Sequence, residues 1–329
     1  MKSSASSVLA VAGVLAATAL GSATIANVAF AEDAFVIGAA HQGLSRPINV
    51  SGQDGAREAA AELGVDLRET DAQDKFDKQL NDVQDLLAQG IDGLLVWPAD
   101  SGGALEFIKL ANEAGVPIIG VTTPIGVPDP NDPYRPADGL SGFVTWDDVG
   151  AGKIAAEAIM AHFEASSDPL EIAVLEGRSG YLSVDLRRRA FDETLTAAGV
   201  SYEVVSAQPG DWTQEKGEAV CQNFIAANPG LDAIYSMSDE MSVGCARAIA
   251  STGSDVSLFS VGGSAKGIAL IAAGDMVATV CYKPKDNGYL AVHAMVEVLK
   301  GSPPMTDAAI VSDSPAVTRD NLDECQPQW

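Results

Sequence analysis

Two adjacent carboxylates, Asp147 and Asp148, are the residues of this chain best spaced for acid–base work, and the cluster Gly150-Ala-Gly-Lys153 follows them directly. Paired acids do such work when their surroundings drive their pKa values apart. Here one acid ends a strand-like run and the other opens a helix-like one, which better suits a helix cap and a hinge contact. The glycine cluster fails as a phosphate loop, because Asp147 stands where the first glycine belongs and Ile154 replaces the Ser or Thr. Gly262-Gly-Ser-Ala-Lys266 has no glycine two residues after its serine, so it builds no nucleophile elbow. The histidines are His41, His162 and His293, and no two have metal-ligand spacing. Neither an enzyme nor a cofactor or metal site is expected.

Cys221, Cys245, Cys281 and Cys325 match no zinc or redox motif in their spacing. In an oxidising compartment an even number favours disulfides, and three pairings are open. Cys221 and Cys245 fall on consecutive helix-like segments flanking the run at Asp232, so that pairing is favoured, with Cys281 left to Cys325. Buried free thiols are the alternative.

The elements that position these residues are written twice. Asp92-Gly-Leu-Leu-Val96 and Pro117-Ile-Ile-Gly-Val121 are apolar runs, the second closing 29 residues after Asp92. Asp232-Ala-Ile-Tyr-Ser236 and Val256-Ser-Leu-Phe-Ser-Val261 repeat the arrangement with the same interval. Between the members of each pair lies a helix-like stretch, Ala104 to Ala114 and Met241 to Ser251, and the preceding helices Lys78 to Gln89 and Lys216 to Ala227 also correspond. Strand, helix, strand is the unit of a parallel sheet. Further strands are expected at Phe35–Ala39, Val65–Thr70, Gly142–Thr145, Glu171–Leu175, Tyr202–Ala207 and Met276–Val280. Helices are expected around Val50–Leu63, Phe76–Gln89, Val149–Phe163, Ser183–Ala198 and Asn287–Leu299. The fold class is therefore α/β, two doubly wound parallel-sheet lobes, with a small ligand expected in the cleft between them. The long irregular stretch Thr122 to Ser141 lies where one lobe hands over to the other.

Composition narrows the partners. The formal net charge of −25 repels nucleic acid and anionic lipid surfaces, so neither is expected as a partner. Lys2, the apolar run Val8 to Leu20 and Ala29-Phe30-Ala31 read as a secretory signal peptide over 1–31, cleaved after about Ala31. The run is too short to span a bilayer, which takes about 20 residues. No cysteine lies near the cleavage site, so no lipid anchor is expected, and in a bacterium with two membranes the expected address is the periplasm.

Several segments carry a resemblance. Gln79-Leu, Asp85-Leu-Leu-Ala-Gln-Gly-Ile-Asp-Gly93, Pro98-Ala-Asp-Ser101 and Ala111-Asn-Glu-Ala-Gly-Val-Pro117 come in order. They are followed by Arg187 to Phe191, Asp211-Trp-Thr-Gln-Glu-Lys-Gly217 and Asp239-Glu-Met with Gly244. Over the whole mature chain this resembles the ribose-binding family of periplasmic solute-binding proteins, the type I periplasmic binding protein fold that serves sugar ABC transporters. The resemblance implies a monomer with three chain crossings between lobes, near Thr145–Asp147, Tyr282–Lys283 and Ile310–Ser312. Lobe one is then about 34–145 plus 284–311, and lobe two 146–282 plus 312–329. It also implies capture of a sugar, polyol or sugar acid by hinge closure and delivery to an ABC permease in the inner membrane. The alternative is a sensory role, presenting ligand to a chemoreceptor or histidine kinase.

Carried onto this sequence, the family's binding positions fall on Gln42, Arg46, Asn49, Trp97, Thr122, Trp146, Asp147, Arg178, Arg187, Trp212, Ser238 and Tyr282. Several depart from the family pattern. Arg46-Pro-Ile-Asn49 replaces an Asn-Pro-Phe-Phe, Thr122 and Gly262 replace carboxylates, and Ser238 replaces an asparagine. Trp97, Trp146 and Tyr282 replace polar groups. Acids have left the expected pocket while arginines and aromatics have entered it. Three arginines suit an acid-bearing sugar derivative. In a chain with 45 acids, the alternative for Arg46 and Arg178 is an ion pair that never touches ligand.

Overall fold

A computed structural model describes residues 34–127, 129, 132–164 and 168–329. The expected signal peptide lies outside the described residues.

The first sheet is assembled from β1 (Val36–His41), β2 (Asp66–Asp71), β3 (Gly93–Val96), β4 (Ile118–Val121), β5 (Gly142–Trp146) and, far along the chain, β11 (Ile310–Ser312). Its order is β11-β5-β4-β3-β1-β2, and every pairing is parallel. Helices α1 (Pro47–Leu63) and α9 (Pro284–Leu299) pack together over one face, and α2 (Phe76–Ala88) and α3 (Leu105–Glu113) cover the other. Covering both faces is why β3 and β4 are continuous buried runs rather than alternating ones. The α1–α9 contact is close enough to require glycine. A Cβ at Gly55 would overlap the backbone of Lys285, and one at Gly288 would overlap the Gly52 carbonyl.

The second sheet repeats the plan with β6 (Leu170–Glu176), β7 (Tyr202–Pro209), β8 (Ala233–Ser236), β9 (Ser257–Phe259), β10 (Ala278–Val280) and β12 (Ala316–Thr318). The order is β12-β10-β9-β8-β6-β7, with the β10–β12 pair antiparallel. Around it lie α4 (Asp148–His162), α5 (Leu182–Ala197), α6 (Gln214–Ala227), α7 (Asp239–Thr252) and α8 (Ala265–Ala273). The repeat read from sequence is thus β3-α3-β4 against β8-α7-β9, at matching places in the two sheets. Its leading aspartates do the same job twice. Asp92 accepts a hydrogen bond from the N–H of Val36 at 2.7 Å, and Asp232 accepts one from Glu171 at 2.8 Å. Each carboxylate satisfies a backbone donor at the start of the neighbouring strand, which would otherwise lack a partner.

The chain passes between the sheets after Trp146, between Val280 and Pro284, and after Ser312. Three elements depart from expectation. Helix α8 begins inside the Gly262–Lys266 cluster, and β11 and β12 form corresponding edges of the first and second sheets. Strand β9 is also shorter than the Val256–Val261 run, ending at Phe259 before Ser260, whose buried hydroxyl bonds to Asp239 and Ser242. Both disulfides are formed, Cys221–Cys245 joining α6 to α7 and Cys281–Cys325 joining the end of β10 to the residue after a short 3-10 turn (Arg319–Glu324). Among the described residues no helix is long and apolar enough to cross a membrane.

Candidate functional site

The carboxyl ends of the strands in both sheets face one cavity, which encloses about 630 Å³ outside protein atoms, part of it open to solvent. From the first sheet and its loops come Gln42, Arg46, Ile48, Asn49, Thr122 and Trp146. From the second come Tyr181, Arg187, Trp212, Ser238 and Glu240, with Tyr282 at a crossing between sheets. The two sides already touch. Tyr181 donates to the Gln42 side chain at 3.4 Å, and Ile48 packs against the second sheet's core.

Aromatic rings set the walls. Trp146 and Tyr282 stack with centroids 4.6 Å apart, and Tyr181 meets Trp212 edge-on at 6.3 Å. Arg187 lies between these pairs, its guanidinium carbon 5.1 Å from the Tyr282 ring centroid and 5.7 Å from that of Trp212. The Trp212 ring sits over Gly177, where any Cβ would overlap its six-membered ring. Backbone strain helps to aim two of these side chains. Thr122 and Trp212 have φ of 69° and 63°, the left-handed region that non-glycine residues rarely occupy, at about 1–3 kcal/mol each. Thr122 is held there by donating its N–H to the Val144 carbonyl at 2.7 Å.

The charges are already matched. Arg187 donates through Nε to Asp148 at 2.7 Å and through Nη1 to the Met237 carbonyl at 2.6 Å. Tyr282 donates its hydroxyl to the same Asp148 oxygen at 2.9 Å. Burial pushes the Asp148 carboxyl above its ordinary value, while the Arg187 guanidinium pulls the other way. Burial works against the Arg187 charge, yet Tyr282 and Asp148 hold its pKa above the ordinary arginine value. Arg46 donates to Asp74 at 2.6 Å. Glu240, the acid lining the cavity, accepts from Gln214 at 2.6 Å. So neither arginine that lines the cavity lacks an acid partner.

Polar groups without protein partners remain at this place. The indole N–H groups of Trp146, Trp212 and Trp329, the Arg46 Nε and the Asp148 Oδ2 are shielded from solvent and make no hydrogen bond. An unmatched buried polar group costs about 1–3 kcal/mol. Donors dominate this set, which calls for an oxygen-rich ligand.

Of the residues expected from sequence, Gln42, Arg46, Asn49, Thr122, Trp146, Arg187, Trp212, Ser238 and Tyr282 line the cavity. Trp97, Asp147 and Arg178 do not. Trp97 is turned into the first lobe, stacked on His41 at 4.4 Å and 3% exposed. Asp147 caps α4, accepting from Gly150 N–H at 2.7 Å and from the Tyr134 hydroxyl at 2.7 Å. Arg178 sits half-buried in the loop after β6, outside the lining. Among the lining residues that reading the sequence missed are Tyr181, Glu240 and Trp329. The first two adjoin segments already singled out, Ser183–Ala198 and Ser238, whereas Trp329 adjoins none.

Comparison with known proteins places this geometry. A family model described as a periplasmic binding protein domain matches residues 44–303. The ribose import binding protein of Escherichia coli (strain K12) is 30% identical over 281 residues, covering 85% of this chain and 89% of that protein. The D-allose-binding periplasmic protein of the same organism is 30% identical over 262 residues, covering 78% and 82%. Among solved structures, the periplasmic binding component of the arabinose ABC transporter from Shewanella sp. ANA-3, bound to L-arabinofuranose, superposes with a TM-score of 0.77 at 26% identity. That match covers 88% of this chain and 93% of the other.

Proposed function

This chain belongs to the periplasmic binding protein family, and on that footing we propose that it captures a neutral sugar or polyol in the cavity between its lobes and delivers it to an ABC permease in the inner membrane. The observation that carries the choice of ligand is the pairing of both lining arginines, Arg187 with Asp148 and Arg46 with Asp74. A carboxylate or phosphate on the ligand would meet no unpaired cation and would lie near Glu240. The acid-bearing derivative suggested by three arginines in sequence therefore loses its support.

What remains suits a polyhydroxylated ring. Its apolar C–H faces pack on Trp212 and on the Trp146–Tyr282 stack, and its oxygens accept from the indole N–H groups. Gln42, Asn49 and Ser238 add amide and hydroxyl groups that both donate and accept. The relatives' names point the same way, to ribose, allose and arabinose. Export through the Val8–Leu20 signal to the periplasm completes the reading.

The test is a thermal-shift screen of the mature protein against aldoses, polyols and sugar acids. A ligand at 100 times its Kd adds about 2.7 kcal/mol, a rise of about 4 °C or more for a chain of this size. Shifts with neutral sugars or polyols support the proposal. Shifts confined to sugar acids, or none with any carbohydrate, refute it.

A further inference from the structure

We propose that Trp329 forms a wall of the ligand cavity and acts as a specificity-determining residue, offering its ring face and its indole N–H to the ligand. This rests on the cavity being the sugar site. Trp329 lines the cavity together with Arg46, Ile48 and Tyr282, and its Nε1 is shielded from solvent without a protein acceptor.

The segment that carries it is fixed at three points. The Cys281–Cys325 disulfide ties it to the end of β10, with Cys325 only 2% exposed. The Gln328 side chain then accepts from the N–H groups of Lys285 at 2.9 Å and Asp286 at 3.4 Å, and donates to the Asp286 carboxylate at 2.6 Å. That contact caps the first turn of α9, whose opening N–H groups have no partner within the helix. Finally, the Trp329 carbonyl accepts from Ala265 N–H at 2.8 Å at the start of α8. The segment therefore holds α9, which covers the first sheet, and α8, which flanks the second. An exposed, unrestrained tryptophan would contribute little; one held at three points is preorganised.

The three fixing contacts use backbone groups, a neighbouring side chain and a disulfide, so the Trp329 side chain is free to serve the cavity. Its position on the hinge side gives it a role distinct from Trp212. Trp212 belongs wholly to the second lobe, whereas Trp329 is carried by a segment bonded to both.

The test uses full-length mature protein labelled with ¹⁵N-tryptophan, together with Trp329→Phe and Trp329→Ala. D-ribose, D-allose, L-arabinose and myo-inositol are each titrated by calorimetry and by following the indole N–H resonances. The four tryptophans make assignment by substitution direct. The expected result is that a bound sugar moves the Trp329 indole resonance, that Trp329→Ala weakens binding at least tenfold, and that Trp329→Phe, which keeps a ring but loses the donor, falls between. Binding with an unmoved Trp329 resonance and an unchanged Kd in Trp329→Ala overturns the inference and leaves the sugar reading standing. If no neutral sugar or polyol, in these titrations or in the thermal-shift screen, binds wild type, the sugar reading loses instead. Hydrogen exchange of the Trp329 indole then decides the wall: slow exchange supports it, and exchange as fast as free tryptophan overturns it.

Discussion

Arg187 on α5 and Asp148 on α4 form an ion pair 2.7 Å long whose side chains are 6% and 0% exposed. Tyr282 donates to the same carboxylate oxygen from a third segment, so the pair fastens two helices of the second lobe to a chain crossing. Removing one charge strands the other in a dry site. Arg187→Ala and Asp148→Ala should each lower stability by about 3–5 kcal/mol, and the double variant by clearly less than their sum. Urea unfolding of the four proteins measures this. Arg187→Ala should also bind its ligand at least tenfold more weakly, and an unchanged affinity would remove Arg187 from the site.

Gly177 is the floor under Trp212. Gly177→Ala places a methyl group where the Trp212 ring lies and forces the ring into the cavity or out of it. Ligand affinity should fall at least tenfold while the far-ultraviolet circular dichroism stays that of wild type. Retained affinity would mean that Trp212 does not contact the ligand.

Tyr134, in the long loop between β4 and β5, donates to Asp147 at 2.7 Å and accepts from Val149 N–H at 2.8 Å, at the start of the first helix of the second lobe. The loop thus reaches across the hinge. Tyr134→Phe removes both bonds and should favour the open form, weakening ligand binding several-fold with a larger radius of gyration by small-angle scattering in the absence of ligand. Identical scattering and affinity would show that the contact does not bias closure.

Glu69 sets a pH dependence. Burial alone would raise its pKa, but hydrogen bonds to His41 and Arg57 carry it below the ordinary 4.5. A carboxyl with a depressed folded pKa contributes stability above its unfolded pKa and loses it as pH falls through the folded value. The stability gap between wild type and Glu69→Gln should therefore be full at neutral pH and close below about pH 4.5. Urea melts at pH 3 to 7 measure it, and a gap independent of pH would contradict this.

Each disulfide closes a loop, of 24 residues for Cys221–Cys245 and 44 for Cys281–Cys325 in sequence separation. Chain-entropy arguments give about 3–4 kcal/mol for loops of this size. Cys221→Ala with Cys245→Ala should show that loss in denaturant melts without affecting affinity. A loss below about 1 kcal/mol would indicate compensating strain relief.

Much of this architecture was legible because the signals were local and repeated. The buried runs at β3, β4 and β8 and the matching aspartates 92 and 232 announce a parallel sheet built twice, and resemblance then located nine of the lining residues. What escaped lacked a local signal. Strands β11 and β12 are three residues long, too short for any periodicity to register. Helix α8 is apolar on most sides and opens with a glycine-rich cluster that reads as a loop. Trp97 has its neighbours in space rather than in sequence, since the His41 ring that stacks on it lies 56 positions earlier. Arg46 illustrates a different limit. It lines the cavity as the resemblance implies and also forms the ion pair that was its alternative.

The three crossings between sheets bear on how the chain is born. Residues from Pro284 onward supply the helix that covers one face of the first sheet, then an edge strand to that sheet, then an edge strand to the second. A growing polypeptide therefore has neither lobe complete when most of its length has been made. Domains strung end to end mature one after another as they emerge. Here both halves wait for the last stretch of chain: the nascent protein has no finished lobe until β11 has been synthesised, and the second lobe closes only a few residues later with β12.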